Sequence, residues 1–336
     1  MPKKPFPAGT PARYPYMEWA WANGYSKKYA SAGWASYERH MTRWLEAEGY
    51  HYDIATLHDL HADPGLLAGH RCVVFVGHDE YWSRKMRDAV DGYVESGGHV
   101  ARFAGNFFWQ IRLEDEGSTQ VCYKYIARAE DPVMGTPDET SATNCWEAPE
   151  INHPGALTFG VNGSRGIYAG LGHCVGRGSG GFTIYRPEHW AFEDAYVGYG
   201  DVLGAESRIF GYEVDGLDHI VERGLPYPTG EDGAPEGLKI LGLGLATNRE
   251  ANFGGWDEDL YIGDSDAAFL AETLHGETSA ESLDKVARSN GMIVNFPRGQ
   301  GEVFTAGCCE WVNGLRLNDL SVIQVTRNVL RRFTGH

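Results

Sequence analysis

The chain reads as an α/β protein. Its sheet is expected to be doubly wound and mostly parallel, within one domain over residues 1–336, and a β- and loop-rich insertion over 106–235 should lie across the sheet's carboxyl edge. Three observations predict this. Short apolar runs bounded by turn residues, such as Cys72-Val73-Val74-Phe75-Val76, read as buried strands. Amphipathic stripes alternate with those runs at short spacing, in the order helix, strand, strand, helix, strand. From residue 106 to 235 the pattern gives way to Gly, Pro and aromatic residues, with turn signals at intervals of roughly ten residues.

Residues 1–33 are rich in Pro, Tyr, Trp and Gly and carry at most an early strand. Trp34, Tyr37, Met41, Trp44 and Leu45 then recur at helical spacing, and Gly49 ends that helix. Tyr52 to Thr56 reads as a short strand. His58-Asp59-Leu60 with Leu66-Leu67 reads as a turn or short helix, punctuated by Pro64. After the strand at 72–76, a helix over 84–95 begins at Ser83. Its stripe is Met86, Ala89, Val90, Tyr93 and Val94, and Gly97-Gly98 stops it. A strand follows from His99 to Ala104. Regular pattern resumes with Lys239 to Leu245, a helix near 281–288, and strands from Met292 to Phe296 and Glu302 to Ala306. The last element is an amphipathic helix carrying Val322, Val325, Val329, Leu330 and Phe333, with Asn318 or Asp319 as its cap.

Bulk properties exclude several functions. A net charge of −17 disfavours nucleic acid and anionic membranes, because no basic patch is present to neutralise phosphates. No stretch approaches about 18 consecutive apolar residues, and the Met1-Pro2-Lys3-Lys4-Pro5 start lacks a signal-peptide core, so a cytoplasmic protein is expected. Cys72, Cys122, Cys145, Cys174, Cys308 and Cys309 form no CxxC pair, which fits reduced thiols. The 10 Trp and 18 Tyr serve either core packing or an aromatic-lined small-molecule pocket.

The densest chemistry is Gly77-His78-Asp79-Glu80-Tyr81-Trp82-Ser83, between a buried strand and a helix start. Ligands of open α/β sheets bind at the carboxyl ends of strands, so any site should lie within reach of His78, Glu80 and Tyr81. A nucleophile mechanism finds no support. The turn after strand 99–104 is Gly105-Asn106-Phe107-Phe108, without thiol or hydroxyl, and no Gly-x-Ser-x-Gly occurs. Cys308 and Cys309 follow a strand but precede Trp311, Asn313 and Gly314, which read as a loop. No HExxH or Cys-rich zinc pattern exists. Gly170-Leu171-Gly172 and the glycines of 176–181 lack strand–helix context and read as turn residues. A metal held by dispersed ligands remains. A tyrosine phenolate is a hard oxygen donor suited to ferric iron. The alternative is that Tyr81 only packs its ring beneath the loop and hydrogen-bonds through its hydroxyl, with Glu80 a charge that complements the helix dipole.

Several phrases together resemble the large subunit of N,N-dimethylformamidase in its carboxyl-terminal catalytic part. They are Trp44-Leu45-Glu46 with Gly49-Tyr50, Asp59-Leu60-His61, Gly77 to Ser83, Gly97-Gly98, Gly105-Asn106-Phe107-Phe108-Trp109, Cys122-Tyr123-Lys124, Glu188-His189-Trp190, Gly211 to Gly216 and Gly301-Glu302-Val303-Phe304. The resemblance implies a glutamine-amidotransferase-like or flavodoxin-like core without the cysteine triad. It also implies hydrolysis of a small amide by one mononuclear iron bound by two tyrosines and a carboxylate. Carried onto this chain, the ligands are Tyr81, Tyr37 (with His40 as rival) and Glu147 (with Glu139 and Glu150 as rivals). Glu310 and His78 become the candidate proton carriers, Asn106 the residue that orients substrate or stabilises an oxyanion, and Phe107, Phe108 and Trp109 the pocket lining. A small partner subunit is also implied, and a homo-oligomer stays open. The alternative is a non-catalytic α/β protein that binds a small molecule or assembles with others, keeping the fold without metal.

Overall fold

A computed structural model describes residues 33–168, 180–210, 212–247 and 264–335. The early strand expected before residue 33 and the glycines of 170–172 fall outside them. Helix α1 (Glu38–Ala47) and helix α2 (Leu57–Ala62) precede strand β1 (Cys72–His78). Helix α3 (Arg84–Glu95) leads into strand β2 (His99–Gly105). Next come β3 (Asn162–Tyr168), β4 (Phe182–Ile184), β5 (Val202–Leu203), β6 (Tyr212–Gly216) and β7 (Lys239–Thr247). Helices α4 (Asp264–His275) and α5 (Ala280–Ala287) precede β8 (Arg288–Arg298) and β9 (Gly301–Gly307). The last helices are α6 (Val312–Arg316) and α7 (Leu320–Thr334).

Among the described residues, the central sheet has seven strands in the order β1-β2-β9-β8-β7-β4-β5. Only the β1/β2 and β2/β9 pairs are parallel, and the other four are antiparallel. The expectation of a mostly parallel sheet is therefore corrected to a mixed one. The reason lies in a short connection: Arg298 pairs with Gly301, leaving two residues, Gly299 and Gln300, to join β8 to β9. A parallel pairing needs a crossover of about a dozen residues or more, so these strands can only form a hairpin. Two short strands from the 106–235 segment, β4 and β5, extend the central sheet itself.

Helices cover both faces of the sheet. Along β2, Val100 joins one core with Met86, Val90 and Val94 of α3, whereas Ala101 and Phe103 join the other with the stripe of α7. This is the period-two alternation of a strand buried on both sides. Each fully buried aliphatic or aromatic side chain contributes about 1.5–3 kcal/mol of transfer free energy. Ser83 caps α3 by accepting the Met86 N–H, and Asp319 caps α7 by accepting the Val322 N–H. Gly335 ends α7 in the left-handed conformation.

Two local expectations fail. Tyr52 to Thr56 forms no strand, and Trp34 is 53% exposed, outside the helical stripe that buries Met41, Trp44 and Leu45. The 52–56 run stays unpaired although β1 stands at the edge of the sheet, and α1 starts only at Glu38.

Candidate active site

Strands β1, β2 and β9 end level with one another. His78 pairs with Gly105, and Gly307 pairs with Ala104. Their carboxyl ends therefore present His78 to Tyr81, Asn106 and Cys308 to Glu310 along one edge. The separate β3/β6 sheet crosses the same edge, where Val214 bridges Cys308. Gly105 permits this approach: a Cβ there would lie 2.3 Å from the Glu213 carbonyl oxygen. Gly77, at φ +82°, plays a matching part on β1, since a Cβ would lie 2.4 Å from the Cβ of Tyr37.

His78 stands at the centre. Its Nε2 lies 2.9 Å from Glu213 Oε2 and 3.4 Å from Glu80 Oε2. Burial opposes its charge, but the carboxylates of Glu213, Glu80 and Asp79 outweigh that and hold the imidazole up at about 9. Asn106 Nδ2 is 3.0 Å from the same nitrogen. Because a ring N–H that donates to Glu213 can be met only by an acceptor, we assign the amide turned over, with its oxygen toward His78. The Cys309 thiol reaches the Gly105 carbonyl at 3.4 Å and Glu213 Oε2 at 3.9 Å. One donor atom each from His78, Glu213 and Cys309 lies within 4.8 Å of the others. Among the described residues, Glu38, the first residue of α1, also faces this charge, because His78 opposes the rise that burial imposes on its carboxyl.

Tyr81 adjoins this group. Its hydroxyl contacts Lys124 Nζ, which lies 3.5 Å from Glu80 Oε1 and 4.6 Å from the centre of the Tyr81 ring. Burial first, then Glu80, pushes the phenol well above its usual range, so it is neutral as it stands. Trp109 Nε1 donates to Glu80 Oε1 at 2.7 Å and fixes the carboxylate. Backbone pairing of Tyr81 with Trp109 sets this geometry. Asn106, Lys124 and Glu213 all hold positive φ, at 67°, 54° and 47°. Non-glycine residues rarely take that conformation, and it concentrates at functional sites.

The structure thus brings His78, Glu80, Tyr81 and Asn106 together. Tyr37 is buried beside Gly77, one residue before His78. Glu310 is fully buried one residue after Cys309, but the carboxylate against His78 is Glu213. Glu147 has partners in the Gly155 to Ser164 segment and on α3: it accepts the Gly155 N–H at 3.0 Å and feels Ser164 and Arg87. Its rival Glu150 is taken by Arg128 and Asn144, and Glu139 accepts the Gly135 N–H. Phe107 and Phe108 are core residues, stacked on Trp146 and edge-on to Trp109, so of the three expected lining aromatics Trp109 meets the polar cluster. Sequence reasoning missed Glu213 and Lys124 as site residues. Both sit inside phrases that carry the resemblance, Gly211 to Gly216 and Cys122-Tyr123-Lys124, which is the signal that points to them.

Burial pushes the Glu147 carboxyl up to about 7 from an ordinary 4.5. A raised folded-state value means its contribution to stability is full below the unfolded value and is lost as pH rises through about 7. Glu147→Gln copies the neutral form, so its melting temperature should gain on the wild type between pH 5 and pH 8. A difference that stays constant over that range contradicts the reading.

Residues 4–324 match the family model described as N,N-dimethylformamidase beta subunit-like, C-terminal. The chain is 25% identical over 321 residues to the N,N-dimethylformamidase beta subunit of Alcaligenes sp. It is 25% identical over 304 residues to that of Paracoccus aminophilus. Each match covers 88% of this chain and 36% of the relative, so the chain spans about a third of the length of these proteins. With nearly its whole length inside the family model, the chain belongs to the N,N-dimethylformamidase beta subunit-like C-terminal family.

Proposed function

We propose that this chain carries the hydrolytic centre of a metal-dependent amidase acting on small amides, with one iron ion as cofactor. The observation that carries the reading is the convergence of His78, Glu80, Tyr81, Asn106 and Glu213 at the ends of parallel strands. The relatives' name, dimethylformamidase, supports the substrate class. The parallel trio with helices on both faces supports an amidotransferase-like core.

The donor set fits a hard cation. Phenol and carboxylate oxygens dominate, and a positive charge, the Lys124 ammonium, already contacts both Tyr81 and Glu80. Tyr81 and Glu80 would hold the ion, with Glu80 taking the carboxylate role first given to Glu147. When bound, the ion supplies Lewis acidity that polarises an amide carbonyl. The Glu213 carboxylate, 2.9 Å from His78 Nε2, can take a proton from water, and the protonated His78 imidazole can give one to the departing amine. With its oxygen on His78, Asn106 turns its NH2 outward as a donor for a substrate carbonyl. The relatives are named as subunits, which supports assembly with a partner subunit.

The Lys124 contact also favours a second reading, a metal-free small-molecule binder whose cation seat is filled by its own lysine. One experiment separates the two. Protein loaded with ferric iron should release amine from N,N-dimethylformamide, and a chelator should stop it. An iron-loaded, folded protein that releases no amine contradicts the hydrolase.

A further inference from the structure

The candidate site is assembled from three places that the backbone leaves separate. His78 ends β1 and Glu80 follows it, Asn106 follows β2, and Glu213 lies on β6 outside the central sheet. One buried guanidinium joins them. Arg102, 0% exposed on β2, donates from Nε to Asp79 Oδ2 at 2.7 Å and from Nη2 to Asp79 Oδ1 at 2.6 Å. Its Nη2 also donates to Asp215 Oδ2 at 2.7 Å. Asp79 lies between His78 and Glu80, and Asp215 lies two residues beyond Glu213. Asp215 Oδ1 in turn accepts the Asn106 N–H at 2.8 Å, and its carboxylate accepts the Phe107 N–H. Glu80, Asn106 and Glu213 are thus each a step or two along the chain, or one hydrogen bond, from the same charge network.

Stability alone does not call for this arrangement. Apolar side chains of equal volume commonly replace a buried ion triad without loss, and sometimes with gain. A guanidinium instead adds direction. Its planar fork grips Asp79 through two bonds and Asp215 through a third, which a lysine cannot copy. The ring of Phe159 lies 5.0 Å from the guanidinium carbon and that of Phe107 lies 5.6 Å away, so the fork has little room to turn.

We propose that Arg102, with Asp79 and Asp215, is the positioning device of the site, setting His78 and Glu80 against Asn106 and Glu213. The activity part of this proposal rests on the hydrolase reading; the positioning part does not. Arg102→Met, Arg102→Lys and Asp215→Asn in the full chain test it. Near-UV circular dichroism reports the fold, the ring resonances of His78 by NMR report placement, and amine release from N,N-dimethylformamide by iron-loaded protein reports turnover. The expected result is a folded Arg102→Met protein with shifted His78 resonances and kcat down about 100-fold at little-changed KM, since a displacement of about 1 Å has that effect. Arg102→Lys should recover part of the kcat, and Asp215→Asn should show the same signature in milder form. If Arg102→Met does not fold, Asp215→Asn decides. A folded variant with wild-type His78 resonances and wild-type turnover overturns the proposal. A wild type that hydrolyses no amide sinks the hydrolase reading instead, and the His78 resonances then decide positioning by themselves.

Discussion

Tyr81→Phe is expected to weaken iron binding by more than about 100-fold while leaving the far-UV circular dichroism unchanged. Partners that only orient a ligand cost about 10–100-fold in metal affinity when removed, so a ligand should exceed that range. The fold is insulated from the change. Tyr81 is held by backbone pairing with Trp109, and its ring stays in place without the hydroxyl. The hydroxyl touches Lys124, which is a third exposed, so removing it should cost about 1 kcal/mol of stability or less. Burial and Glu80 keep the phenol neutral in the absence of a cation. Its ionisation therefore depends on the bound charge, and a tyrosinate absorption band should appear on iron loading and be missing from the variant. Equal iron affinity in both proteins contradicts the ligand assignment.

Glu213→Gln should behave in the opposite way, keeping iron and losing turnover. The expected fall in kcat is about 10²–10⁴-fold, the usual loss when a positioned acid–base group is removed. Glutamine fills the same volume, and the bond from the Cys309 N–H to the residue 213 carbonyl is untouched, so the β6 crossing should survive. Replacement removes the carboxylate nearest to His78, at 2.9 Å, but not the pair formed by Glu80 and Tyr81. Iron content and kcat measured on the same preparation separate the roles. If iron is lost with activity, Glu213 ligates the ion together with His78 and Cys309, whose donor atoms also cluster.

Local elements are well marked in the sequence. The α3 span of 84–95, its Ser83 cap, β1, β2 and α7 all follow from periodicity and capping chemistry, which act over a few residues; of the two cap candidates for α7, Asn318 and Asp319, the structure uses Asp319. Strand direction is less legible, because it depends on connection length. The two-residue link between β8 and β9 carries that information, and the hydrophobic pattern of either strand does not. On the site, the His78 to Tyr81 phrase and Asn106 are legible, since they directly follow strands whose ends can be located. Glu213 lies 135 residues from His78 by number, on a short strand interrupted by register shifts that periodicity does not reveal. Glu147 draws attention through its neighbour Trp146. Trp146 stacks on Phe107 and packs against Arg87 of α3. Distance along the chain gives no means of reading such packing.

The most direct test of the central claim is anomalous diffraction at the iron edge from crystals of iron-loaded protein. The account predicts one strong peak within bonding distance of Tyr81 Oη and the Glu80 carboxylate, with Lys124 displaced from the phenol. Iron-loaded crystals with no peak there, and Lys124 still against Tyr81, would contradict it.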